Sequence, residues 1–95
     1  MLPEGAQPLW QDPTGAIVLA EVAYSDHWLG EKATALEEAG RTKIAFISRL
    51  GEALLPGPGT VLQEGDVLHV MAEEHDLDRI ATAFAKPAPP GKGSH

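Results

Sequence analysis

The apolar positions change period several times between residues 14 and 84, and each change marks an element. AIVLAEVAY (16–24) is a nearly continuous apolar run with β-branched residues, which predicts a strand. SDHWLGEKATALEEAG (25–40) carries Leu29, Ala33 and Leu36 at i, i+4 and i+7, which predicts a helix. Ser25 or Asp26 offers an N-cap oxygen, and Gly40 suits the C-terminal stop. Gly30 inside that helix costs about 1 kcal/mol relative to alanine, to be explained by close packing, ligand approach or a tolerated surface position. KIAFISRL (43–50) alternates as a strand, with Ile44, Phe46, Ser48 and Leu50 on one face and Ala45, Ile47 and Arg49 on the other. Gly51-Glu52 turns the chain into a short strand, ALLP (53–56), and Pro56 and Pro58 mark where ladder pairing stops. TVL (60–62) is a brief extended piece, QEGD (63–66) a turn with Gly65 able to take positive φ, and VLHVMAE (67–73) a second long strand. HDLDRIATAFA (75–85) sets Leu77, Ile80, Ala81 and Phe84 at helical spacing, with Asp76 and Asp78 at the dipole-positive end.

The order strand-helix-strand-strand-strand-helix predicts an α+β sandwich, with a mostly antiparallel sheet and helices on one face. Nearly continuous apolar strands need their other face covered as well, most simply by a second subunit, so a dimeric assembly is expected. Residues 1–13, rich in Pro, Gly and Gln, read as an N-terminal arm on which Leu9 and Trp10 can dock. Residues 85–95, AKPAPPGKGSH, read as a Pro/Gly tail with too little apolar surface to order itself. The expected domain is therefore 14–84.

A chain of 95 residues is one domain with a modest core, for which oligomerisation is a common remedy. With no cysteine, disulfides and thiolate metal sites are excluded. The charge is −7, from 7 Lys and Arg against 14 Asp and Glu. Nucleic-acid binding draws its affinity from basic residues on phosphate, so that class is excluded as a partner, and an anionic membrane surface is disfavoured. A single anionic small molecule stays open, since one local arginine can outweigh a distant average. No apolar run approaches the roughly 18 residues of a membrane span, so no direct membrane insertion is expected. MLPEGAQPLWQDPTG lacks the basic and apolar regions of a signal peptide, and the expected location is cytoplasmic.

Candidate chemistry is sparse. There is no P-loop, GxGxxG or HExxH. Ser25, Asp26 and His27 are adjacent and cannot line up as a triad, and Ser48 has no spacing-linked partner, so no catalytic set is expected and the chain does not read as an enzyme. EEHDLD (73–78) combines carboxylates and an imidazole, which can bind divalent ions, but acids at a helix start are ordinary and no metal site is assigned. Asp66, between Gly65 and a strand, suits a turn-capping carboxylate. Arg49 is an arginine inside a strand, flanked along its face by apolar residues. Snorkelling or pairing with Glu52 accounts for it, and so does gripping two anionic oxygens of a phosphate or carboxylate.

Taken in order, Ser25, Gly30, Arg49, Gly51, Pro56, Leu62, Gly65, Asp66, Leu68 and Val70 form a pattern that resembles the RCK C-terminal (TrkA-C) domain family. The resemblance covers about residues 16–84. It departs from the family at Gly30-Glu31-Lys32-Ala33, where the family often has Gly-Lys followed by Thr or Ser and Leu, and in the Pro/Gly-rich loop 56–59. The nucleotide-binding N-terminal RCK domain is not in this sequence, which the resemblance reads as an excised domain or a stand-alone regulator. The resemblance implies a ligand-sensing regulatory domain of a potassium channel, potassium transporter or cation/proton antiporter. It implies a homodimer, a membrane transporter or antiporter subunit as partner, no required cofactor, and cyclic di-AMP as the ligand at the dimer interface. The residues matched to such a site are Phe46, Ile47, Arg49, Leu54, Leu55 and Pro56, with Arg49 on phosphate and one of Phe46 and Ile47 in the core. A dimerisation or docking module with no small-molecule ligand is the alternative.

Overall fold

Val18, Ala20 and Val22 alternate with Ile17, Leu19 and Glu21 along strand β2 (Ile17–Val22), and only the first set is buried. The same alternation buries Leu68 and Val70 of β5 (Val67–Glu73) while Met71 stays exposed. These are antiparallel neighbours in a five-stranded sheet, described here from a computed structural model that covers residues 5–87. The sheet order is β1-β2-β5-β3-β4, with β1 at Ala6–Gln11, β3 at Lys43–Arg49 and β4 at Glu52–Leu54, and every pairing is antiparallel. Helices α1 (Ala33–Gly40) and α2 (Leu77–Ala85) close one face. Their Leu36, Leu77, Ile80 and Phe84 meet the buried strand residues and Trp28, each contributing roughly 1.5–3 kcal/mol by leaving water. No helix among the described residues is long and apolar enough to cross a membrane.

The α+β sheet with helices on one face is as the sequence implies, and four local features differ. The expected arm at 1–13 is extended, but from Ala6 to Gln11 it pairs with β2 as an edge strand, and residues 1–4 lie outside the described region. Of the tail, residues 88–95 lie outside it too. Lys86 is held by the Trp28 indole, whose Nε1 donates to the Lys86 carbonyl at 2.7 Å.

The single helix expected for 25–40 is two pieces. Ser25 caps a 3-10 turn at Asp26–Trp28, its hydroxyl accepting from the His27 amide, and α1 starts only at Ala33. Between them Gly30 takes φ +88°. The backbone of 30–33 bonds to 60–62 instead: Gly30 N to Leu62 O at 2.9 Å, Leu62 N to Glu31 O at 2.9 Å, Ala33 N to Thr60 O at 2.8 Å. The TVL segment thus forms a bridge outside the sheet, Lys32 facing Val61.

Gly40 does not terminate α1 by turning left-handed. It is the last helical residue, and Arg41 takes the left-handed conformation with φ 48°. Gly40 is needed inside, because a Cβ there would lie 2.7 Å from Phe84 Cε1.

The alternation of β3 breaks at a register shift between Ile44 and Phe46. The extra residue puts Ile44 and Ile47 on the same, buried face and moves Phe46 and Ser48 to the face without helices. That face also carries Trp10 and Met71, which are 51% and 42% exposed.

Candidate functional site

Arg49 ends β3 just before a hairpin turn at Leu50-Gly51, where both residues have positive φ, 52° and 80°. The turn sits one residue earlier than Gly51-Glu52, because a two-residue loop with both φ positive matches the twist of the strands. Glu52 is the cross-strand neighbour of Arg49, but the guanidinium turns to the 61–66 loop. Its Nε donates to Asp66 Oδ1 at 2.9 Å, and its Nη2 donates to Asp66 Oδ2 at 2.8 Å and to the Val61 carbonyl at 2.9 Å. Asp66 Oδ2 also accepts the Gln63 amide at 2.9 Å, which is the turn-capping role its position implies. The Tyr24 hydroxyl donates to the Asp66 carbonyl at 2.8 Å. Asp66 therefore ties together three parts of the chain: its carboxylate joins the end of β3 to the loop before β5, and its backbone carbonyl takes the residue that follows β2.

The electrostatics follow from this geometry. Hydrogen bonds from Arg49 hold the Asp66 carboxyl below the usual carboxylate range, against the opposing effect of its burial. Arg49 is pushed up in turn by its bonds to Asp66. Burial, then the Asp66 charge, raises the Tyr24 phenol. Arg49 Nη1 has no partner among the described residues, and the side chain is 23% exposed, so this end of the fork can still donate to an anion.

The other candidate residues do not gather on one surface. Ile47 is fully buried in the core, and Leu54, its cross-strand partner, packs against that core from the edge. Phe46 lies on the opposite face, its ring stacked on His69 with centroids 4.1 Å apart. Leu55 is 82% exposed, and Pro56 is half-buried beside it. Sequence reasoning missed Asp66 as the partner of Arg49, and missed Tyr24 and His69. The sign of His69 was a polar residue in the middle of an apolar strand; it is buried, and its Nδ1 has no hydrogen-bond partner among the described residues.

Two further clusters have little chemistry. Ser25 Oγ does reach His27 Nδ1, at 3.0 Å, but the hydroxyl is the cap of an exposed turn and no carboxylate bonds to His27 among the described residues. Glu73, His75 and Asp76 place ligand atoms within 4.8 Å of one another, but Arg79 adds a positive charge 3.6 Å from Asp76.

Every element from β2 onward and the Arg49–Asp66 clamp sit within a stretch, residues 17–85, that matches the sequence model of the TrkA-C domain; β1 lies before it. The chain belongs to the TrkA-C domain family. Across all 95 residues it is 50% identical to the Trk system potassium uptake protein TrkA of Streptomyces coelicolor (strain ATCC BAA-471 / A3(2) / M145). It spans 42% of that relative's length. Among solved structures it is similar to the GsuK channel bound to NAD, with TM-score 0.69 and 18% identity over 92% of this chain and 16% of that one. The GsuK RCK domain gives TM-score 0.66 and 19% identity over 90% of this chain and 19% of that one. At those identities the likeness concerns the fold.

Proposed function

We propose that this TrkA-C chain is a regulatory domain of a potassium transport system, acting from the cytoplasm on a membrane transporter or antiporter subunit and without catalysis. The relative named as a potassium uptake protein, half identical along the whole chain, is the observation that carries this reading. In its finer form the domain is a homodimer that binds cyclic di-AMP between subunits. Support comes from Arg49: its Nη1 has no partner among the described residues while Nε and Nη2 are anchored, so that end is presented by a fixed fork. Phe46, Leu54, Leu55 and Pro56 supply apolar surface on either side of the β3–β4 edge. Ile47 supports them from the core rather than touching the ligand.

The anchoring itself favours a second reading, a dimerisation or docking module with no ligand, because the Asp66 carboxylate already takes the two donors that best fit an oxyanion. Titration calorimetry of the chain with cyclic di-AMP, with molar mass measured alongside, separates the two. The first reading expects binding in the micromolar range or tighter at one ligand per dimer. A dimer that gives no heat at high ligand concentration sinks it and leaves the docking module.

A further inference from the structure

A guanidinium is a planar fork that can present two N–H groups along either of two edges. In Arg49 the edge made by Nε and Nη2 belongs to Asp66, at 2.9 and 2.8 Å. The second N–H of Nη2 therefore points into the other edge, which it shares with Nη1. The occupant there is the Val61 carbonyl, 2.9 Å from Nη2. A phosphodiester or carboxylate that reaches Nη1 thus meets an edge half filled by a neutral backbone oxygen, and needs the other half to grip with both of its own oxygens.

Of the two groups on the fork, Val61 is the one that can yield. The Asp66 side chain is 0% exposed and its carboxylate also holds the Gln63 amide, so pulling the guanidinium away strands a buried charge. The bond to Val61 lies at the surface, where water can take over the carbonyl. A hydrogen bond from a guanidinium to an anion is roughly twice as strong as one between neutral groups, and an arriving anion brings charge to both ends of the bond. The exchange leaves Asp66 in place and the fork fixed.

Val61 has a second attachment through its neighbours. Helix α1 starts without a side-chain cap, since Lys32 in the cap position makes no such bond. Its first amide, Ala33 N, donates instead to the Thr60 carbonyl at 2.8 Å. On the other side of Val61, Leu62 N donates to the Glu31 carbonyl and accepts through its own carbonyl from Gly30 N, both at 2.9 Å. The segment that caps α1 is therefore pinned to β3 at its middle by the bond that an anion would replace.

We propose that the Val61 carbonyl is a placeholder on Arg49: an anion bound at Nη1 replaces it on Nη2, and its release loosens the 60–62 cap of α1. The proposal rests on the ligand-sensing reading above and adds how a bound anion is felt at a helix. The test is amide hydrogen exchange, followed by NMR on the chain with and without saturating cyclic di-AMP, with calorimetry on the same samples. The Gly30, Ala33 and Leu62 amides should exchange about tenfold faster or more in the complex, while the β2–β5 ladder holds or slows. A ligand that only buttresses the loop would slow them all. Arg49→Lys, a point charge with no edge to share, is the second variant, with thermal melts as a check on folding. In it the same amides should exchange fast without ligand and show no further rise with it. Heat of binding with Gly30, Ala33 and Leu62 unchanged or slowed overturns the proposal and leaves the ligand reading standing. A lysine variant that responds as the arginine chain does also overturns it. No heat at high ligand concentration removes the ligand reading, and the proposal falls with it.

Discussion

Asp66 is fully enclosed and Arg49 is not: their side chains are 0% and 23% exposed although they share two hydrogen bonds. The asymmetry decides which loss is worse. Arg49→Ala strands a buried carboxylate with only the Gln63 amide to answer it, whereas Asp66→Asn leaves a guanidinium that reaches water. Thermal melts should therefore rank Arg49→Ala below Asp66→Asn. The milder change should lower Tm by roughly 4–8 °C, the shift for about 1 kcal/mol in a domain of this size. Equal midpoints would mean that the carboxylate finds other donors.

Acid should weaken the domain at its first hairpin. Hydrogen bonds from the Thr14 side chain, then from the Ile17 and Thr14 amides, lower the Asp12 carboxyl from 3.8 to about 2. Because the folded value is the lower one, the contribution is complete above the ordinary carboxylate range and drains away as pH falls through about 2. Asp66 has the same sign, with its bonds from Arg49 as first cause. Urea midpoints should hold steady from neutrality to about pH 4 and then fall. Asp12→Ala should make that fall shallower; an unchanged slope would remove Asp12 from the account.

Gly40→Ala should be destabilising for a reason local to one ring. The new Cβ would lie 2.7 Å from Phe84 Cε1 and 3.3 Å from Thr42 Cγ2, inside a buried helix crossing. Overpacking of this kind costs about 1–3 kcal/mol. In chemical denaturation, the loss in the Gly40→Ala/Phe84→Leu double variant should be smaller than the sum of the two single losses. Strict additivity would show that the helices separate without contact between these positions.

Leu50→Asn should stabilise. Leu50 is 98% exposed at φ 52°, a conformation that costs leucine about 1 kcal/mol and that asparagine accepts more readily in a two-residue hairpin turn. A gain of roughly 0.5–1 kcal/mol is expected from denaturation at low protein concentration. A loss of stability confined to concentrations where the chain self-associates would instead put Leu50 in contact with a second copy.

What could be read from the sequence was what a local window contains. Leu77, Ile80, Ala81 and Phe84 keep one helical period and all four are buried, and β2 and β5 keep apolar runs long enough to be unambiguous. The strand at Ala6–Gln11 escaped because it is an edge with a proline and a register shift, so its Leu9 and Trp10 are both half exposed and no alternation survives. The break in the 25–40 helix escaped because Leu29 and Ala33 keep helical spacing while the backbone between them bonds to residues 60–62. At the site, Arg49 was conspicuous as a strand arginine. Its partner was not, since Asp66 is 17 residues away and is brought there by a loop that the guanidinium itself helps to close.

The chain has two tryptophans, and the fold gives them opposite surroundings. Trp28 is 1% exposed with its indole bonded to the Lys86 carbonyl, while Trp10 stands half in water on the open sheet face. The protein thus carries two native fluorophores tuned to different events. Emission from Trp28 reddens only when the core opens, and emission from Trp10 turns blue when something dry settles over its strand. With Trp10→Phe to subtract one from the other, a single cuvette follows unfolding and assembly as separate colours, without any dye.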